Sequence, residues 1–477
     1  MKADPGGIAA NAAASGAPPC IRFEVRWDGV NWVDESAFVL TGAAGSKALV
    51  GPGEGLLGLG NGGASATVPV DNRTGRYSIR RAGSQANTHG LYGKLARISA
   101  GYVQAGTPQF VAVFYGRVAN VSEAEASGEA QLALTDMASA FEQVKLSTPL
   151  YTGYRTDEWI ATLCTALGIG SPVLERGLGI IPHCWLEEDF ALAEARAAAQ
   201  SEGGVLFFDD AGTLCFWNAT HWIGATSVAT ISYGEMVPKT AYQHVANIVG
   251  VEYQPRQAGR PAVVHQLERP VYVRPGGSTT VSCQFQLPLA RYLGRTMRAT
   301  AGGEDASGSI TVAPTTPQFA GSWDVTFTNA NTRQALWVTA FDVFGEPLAG
   351  RPAEQFVHDV SGANVDWRRD FRGNLSVQTA AQARMLAAMT ATRMALPRLT
   401  LTLSDLRANP LLELGDIVTV SGTRTGVSTT AMILGIDWQF GQSYRMGLEL
   451  VSFVDFYAYA NYWRVGTSNV GAGSVWL

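Results

Sequence analysis

The densest run of ionisable side chains in this chain is His183-Cys184-Trp185-Leu186-Glu187-Glu188-Asp189. An imidazole four residues ahead of a carboxylate would supply a metal-ligand pair or an acid–base couple, if both sat on one helix face. Pro182 permits that only in the first helical turn, because a proline further in has no N–H to donate. The plainer reading is an acidic helix start, with Glu187, Glu188 and Asp189 at the positive end of the helix dipole. Asp209-Asp210 reads as a turn pair rather than a glycosidase dyad, since neighbouring strand residues point to opposite faces. Gly415-Asp416 reads as the turn before a strand. Gly51-Pro52-Gly53-Glu54-Gly55 lacks the lysine and the following helix of a phosphate cradle. His89 falls in a loop and His244 at a strand start, while His265 and His358 have no ligand types nearby in sequence. No Gly-x-Ser-x-Gly elbow, HExxH or P-loop occurs. The sequence therefore assigns no catalytic residue, no metal and no cofactor.

The composition bounds what such a chain can be. It has 477 residues, enough for three or four domains, with 46% hydrophobic and only 16% charged residues. Soluble domains usually carry about 25% charged residues, so a surface this poor in charge implies extensive cover by partners. The net charge of −5 and pI near 5.8 argue against a dedicated nucleic-acid binder. No apolar run reaches the ~18 residues needed to span a bilayer. Lysine occurs only at positions 2, 47, 94, 145 and 239. The five cysteines, Cys20, Cys164, Cys184, Cys215 and Cys283, form no CxxC pair and read as reduced, mostly buried thiols of a cytosolic assembly setting.

The elements that would position these groups are mostly strands. Residues 1–20, rich in Ala, Gly and Pro, read as a flexible arm without the apolar core of a signal peptide. From 21 to 147 the alternation of Ile21–Trp27, Ala64–Val70, Leu95–Tyr102, Phe110–Val118 and Glu129–Thr135 predicts a β domain, with Val50–Gly63 as an exposed glycine-rich loop. Residues 148–243 change texture. Ile160, Leu163, Cys164 and Leu167 follow helical spacing after Thr156-Asp157, and Ala191–Phe216 reads as an Ala-rich helix, a Gly-Gly stop and a hairpin turning at Asp209–Gly212. His244–Glu252 predicts a buried strand within a 244–268 return to the β texture. An additional β module follows over 269–375. Its strands are Ser278–Phe285, Ser309–Val312, Trp323–Asn329 and Ala335–Val343, with Gly345-Glu346-Pro347 as a closing turn. Thr379–Met394 predicts a helix stopped before Pro397, and the strands of 376–452 complete the folded chain. Residues 453–477 read as an aromatic docking arm. The fold class is mainly β with an α+β insertion, and no repeat of 20–50 residues is present.

Five passages resemble the phage tail-hub family, that is, baseplate hubs and minor tail proteins. Ala191–Phe216 (ALAEARAAAQSEGGVLFFDDAGTLCF) resembles its helix and "GG-x-hydrophobic-D-x-x-G-x-L-x-F" hairpin. Ala66–Ser78 (ATVPVDNRTGRYS) is similar to the strand and turn of its N-terminal barrel, Phe114–Val118 to the strand that follows, and Ala133–Ala138 to the barrel's close. Ala380–Leu403 with Asn409–Val420 resembles its C-terminal helix and "nPll-x-lGDiV" strand. The passages stand in family order, whereas the β module at 269–350 is larger than in a minimal hub.

The resemblance implies two hub-type β-barrels in one chain and a homotrimer whose six barrels form a ring matched to a sixfold tail tube. It further implies a structural virion protein at the tail tip, assembled in the host cytoplasm. Its partners would be a hexameric tail-tube or distal tail protein and the tip, spike or fibre proteins. Contact with the host envelope would be possible, without nucleic-acid specificity. Two other classes remain open at this point: a carbohydrate-binding receptor protein that uses the 269–350 module, and a tail-associated cell-wall hydrolase.

Overall fold

The computed structural model describes residues 1–5, 7–13, 17–50, 62–232, 237–241, 245–314, 318–359, 367–394, 398–422 and 426–452. The aromatic arm at 453–477, most of the glycine-rich loop, Tyr233 and His244 lie outside the described residues.

The chain is mainly β, in several sheets. Among the described residues the largest has 13 strands and draws on both ends of the sequence. Alternation works as read: Ala66, Val68 and Val70 point inward from Ala64–Asp71, as do Ala130, Leu132 and Leu134 from Glu129–Asp136. The two expected barrels are not separate closed sheets among the described residues. Ala43–Ala48 pairs antiparallel with Ala64–Asp71 on one edge and with Ser428–Phe440 on the other, which joins the N-terminal strands to the C-terminal ones. The joint needs Gly45. A Cβ there would lie 2.5 Å from the Trp438 ring, so glycine lets the indole lie flat across the seam. One apolar cluster then runs from Phe23 and Ile98 to Leu448 and Val451.

Three further expectations are corrected here. The 1–20 segment packs against the body rather than standing free: Ile8 is fully buried and the Lys2 amide donates to the Leu411 carbonyl at 3.0 Å. The insertion rejoins the large sheet earlier than expected, because Ala229–Ser232 pairs parallel to Ile417–Ser421 and Val237–Ala241 pairs with Arg398–Arg407. Ile248–Tyr253 does not return to that sheet. It lies between Glu354–Asp359 and Arg368–Phe371, under the helix Ala380–Met394, with its own small core.

The α+β unit follows the sequence closely. Its helices Thr156–Leu167 and Ala191–Gln200 cover the hairpin Val205–Phe208 and Leu214–Trp217. In the turn, Asp209 Oδ1 accepts from the amides of Ala211 at 2.9 Å and Thr213 at 2.8 Å, and Gly212 supplies a φ of +81°. The module after residue 256 has a six-stranded and a three-stranded sheet over a third core. Gly345-Glu346-Pro347 is not a turn there. The strand Leu336–Gly350 runs straight through it, held by Leu289–Ala301, a strand the alternation had not revealed.

Candidate functional site at a three-way junction

The sequence-flagged cluster lies on a strand and the chain that follows it, not on a helix. His183 lies in the strand Ile180–Cys184, paired with Thr152, and the next helix begins only at Ala191. The helical spacing of His183 and Glu187 therefore does not exist. Glu188, at φ +54°, turns the chain between that strand and the helix. The Gln378 side chain grips the His183 backbone, accepting from its amide at 3.1 Å and donating to its carbonyl at 2.6 Å. Burial, helped by the nearby Arg256 charge, lowers the His183 pKa, and its Nδ1 is buried without a hydrogen-bond partner among the described residues. Glu187 lies against the β module, since a Cβ at Gly321 would lie 2.2 Å from its Oε1, and it lines one cavity of about 260 Å³ with His183, Cys184, Asp189, Glu194 and Arg256. Among the described residues, no group of three His, Cys, Asp or Glu is arranged to hold a metal ion.

Asp209 and Asp210 also part company. While Asp209 closes its own turn, Asp210 reaches out of the hairpin, and its Oδ2 accepts from Lys47 Nζ and Lys2 Nζ, each at 2.5 Å. Burial acts to raise the Asp210 pKa, but the two ammonium groups outweigh it and hold the carboxyl below its usual range. This ion triad ties the α+β hairpin to the joining strand Ala43–Ala48 and to the N-terminal segment. Lys2 Nζ also donates to the Pro410 carbonyl at 3.2 Å, which brings in the C-terminal half. Beside the triad lies a cavity of about 320 Å³ lined by Tyr115, Leu206, Phe207, Trp217, Asp210 and Glu413. Asp416 stands in the turn before Ile417–Ser421, as read, and its Oδ2 accepts from the Glu413 amide at 2.8 Å.

Neither a protein-family model nor a curated protein matches this sequence. The structure is similar to the tail protein from Neisseria meningitidis at 10% identity and a TM-score of 0.51, covering 91% of this chain and 98% of that one. It is likewise similar to the 43 kDa tail protein of a Shewanella oneidensis prophage at 10% identity and a TM-score of 0.50, again covering 91% and 98%. This chain shares the fold of those two proteins.

Within that fold, the remaining histidines take local roles. His89 ends the short helix Gln85–His89, His265 Nδ1 lies 3.1 Å from the Gln284 carbonyl oxygen, and His358 sits in the strand Glu354–Asp359. His221 stacks on Trp217 at 4.2 Å and meets Glu175 at 2.5 Å, a pairing of residues 46 apart that sequence reading missed. All five cysteines are free thiols, and burial pushes the Cys215 thiol up to about 12.

Glu202 was missed as well. It is fully buried at the end of the Ala-rich helix, and its Oε2 accepts from the Leu178 and Gly179 amides, both at 2.8 Å. Its Oε1 has no hydrogen-bond partner among the described residues, and burial pushes its pKa up to about 7. From about pH 4.5 to 7 the unfolded chain releases this proton while the folded chain keeps it. Stability should therefore fall by about 3 kcal/mol as pH rises across that window. Glu202→Gln keeps an acceptor for both amides and has no proton to lose. Urea unfolding at pH 5 and pH 7.5 should show that drop in the parent chain and a smaller one in the variant. Equal slopes would refute the assignment.

Proposed function

We propose that this chain is a structural component of a phage-type tail, the hub at its distal end that caps the tube and anchors tip or fibre proteins. The observation that carries this reading is the fold likeness to two tail proteins across nearly the whole of each. The low charge density adds to it, because a subunit covered by neighbours has little need of a charged surface. In this reading the segments 21–147 and 376–452 act as two barrel-like halves, each filling one ring position. Three copies then supply six such halves to a sixfold tube, through obligate interfaces of about 2,000 Å² or more. The 453–477 arm would dock on a neighbouring tail protein, and the protein would act without catalysis, metal or cofactor. Such a hub would reside in the virion, at the tail tip.

Multi-angle light scattering of the purified chain should give three times the monomer mass of 50.7 kDa. Gold labelling of particles carrying a tagged copy should mark the tail tip in negative stain. A stable dimer, or label on the head or along the tube, would overturn the hub reading.

A further inference from the structure

The β module carries an exposed aromatic pair. Tyr272 and Trp337 are 48% and 47% exposed, and their rings meet edge to face with centroids 5.2 Å apart. They are cross-strand partners, and the row continues in register from Trp337 to Thr300 and from Thr300 to Asp305. Residues directly opposite on neighbouring strands share a face. The alternate positions Val273, Leu336, Val338 and Ala299 are fully buried in the module's core, so this row faces solvent. Arg298 and Thr339 stand exposed beside it, with the Thr339 hydroxyl donating to the Arg298 carbonyl at 3.3 Å.

We propose that the Tyr272–Trp337 pair is a saccharide-binding platform for an uncharged pyranose unit of a surface polysaccharide. Set at 62° to each other, the two exposed rings offer an apolar corner against which the C–H face of a sugar can stack on one ring and meet the other, an amphipathic use to which Tyr and Trp are suited. Along the row stand the Arg298 guanidinium, the Thr300 and Thr339 hydroxyls and the Asp305 carboxylate, whose Oδ1 accepts from the Ser307 amide and hydroxyl and whose Oδ2 remains to accept from a sugar hydroxyl. The charges of Arg298 and Asp305 cancel, which matches a neutral ligand better than an acidic or basic one. An added peptide strand does not fit, because the Leu336–Gly350 strand is hydrogen-bonded on both sides at Trp337 and has no free edge there. The inference stands apart from the tail-hub reading: particle labelling tests where the protein sits, and the following experiment tests what this face binds.

The full-length chain is applied to an array of purified bacterial saccharides, comprising O-chain, core, capsular and peptidoglycan fragments. The strongest neutral binder is then titrated against intrinsic tryptophan fluorescence. Binding should weaken roughly tenfold or more in Trp337→Ala and in Tyr272→Ala, and less in Trp337→Phe. Both alanine variants should keep the parent circular dichroism, because the side chains removed are half exposed. Absence of any neutral binder, or equal binding by the parent and both alanine variants, would overturn the proposal. A change in oligomeric mass on Trp337→Ala would do the same, by showing that the rings are a subunit contact.

Discussion

Glu35→Ala should lower the unfolding free energy by about 3–5 kcal/mol, read from urea denaturation at neutral pH. Glu35 is fully buried, and four donors converge on its carboxylate. Trp27 Nε1 donates at 2.7 Å, Arg76 through Nε at 2.7 Å and Nη2 at 2.6 Å, and the Tyr77 hydroxyl at 2.8 Å. Trp27 and Tyr77 are themselves almost wholly buried, so removing the carboxylate strands their donors away from water. Burial, then the Glu35 charge, drives the Tyr77 phenol pKa well above its usual range, which keeps the hydroxyl protonated as a donor. Arg76 and Tyr77 belong to the Ala66–Ser78 passage. In that passage Asn72 Oδ1 also accepts from the Tyr77 amide at 2.9 Å and fixes the turn that delivers both side chains. The turn thus acts as the clasp of the N-terminal strands. Replacing Glu35 and Arg76 together with methionine should recover part of the loss, because the apolar pair leaves no lone buried charge. A loss under 1 kcal/mol for Glu35→Ala would show that water replaces the carboxylate.

Asp210→Ala should cost a similar amount, about 3–5 kcal/mol at pH 7, and should loosen the hairpin 205–217 selectively. The substitution leaves Lys47, 8% exposed, buried beside Lys2 with no carboxylate between them. Burial already lowers the Lys47 pKa, and without Asp210 it would fall further. The sign of the pH dependence follows. Below the ordinary lysine pKa of about 10.4 the unfolded variant binds a proton that the folded variant resists, so its stability rises with pH. The deficit against the parent chain should therefore shrink between pH 7 and pH 9.5. Hydrogen exchange at pH 7 should show faster opening of Val205–Trp217, with little change in the 269–350 module, which has a separate core. A deficit independent of pH would show that Lys47 moves to solvent when its partner is lost.

Elements built from near neighbours were legible in the sequence. The helix Thr156–Leu167 ends at Gly168, φ +71°, as its spacing predicts, and the Asp209–Gly212 turn closes through its own carboxylate. The strands of 64–136 show their inward faces in the order of their residues, because a strand's period of two and a helix's of 3.6 are set by the local backbone. What failed was long-range. Gly345-Glu346-Pro347 has turn composition, yet a partner strand some fifty residues away holds it extended. His183 and Glu187 have helical spacing, yet pairing with Thr152 puts His183 in a strand.

The charged groups divide along the same line. Glu35 meets Arg76 across 41 residues, Lys47 meets Asp210 across 163, and Lys2 meets Asp210 across 208. A faint signal existed for one of them: a lysine at position 47, in a chain with five, interrupts a run of small residues inside a strand. By itself the sequence determined the mainly β class, the α+β insertion and the likeness to tail proteins, since hydrophobic period, turn chemistry and motif order are properties of the chain taken in order. Only the tertiary structure decided that both ends of the chain share one sheet, where the buried ions meet, and that Tyr272 and Trp337 stand together on an open face. Those contacts are fixed by which strand edges pair, and edge pairing is a competition among distant segments that no local window of sequence contains.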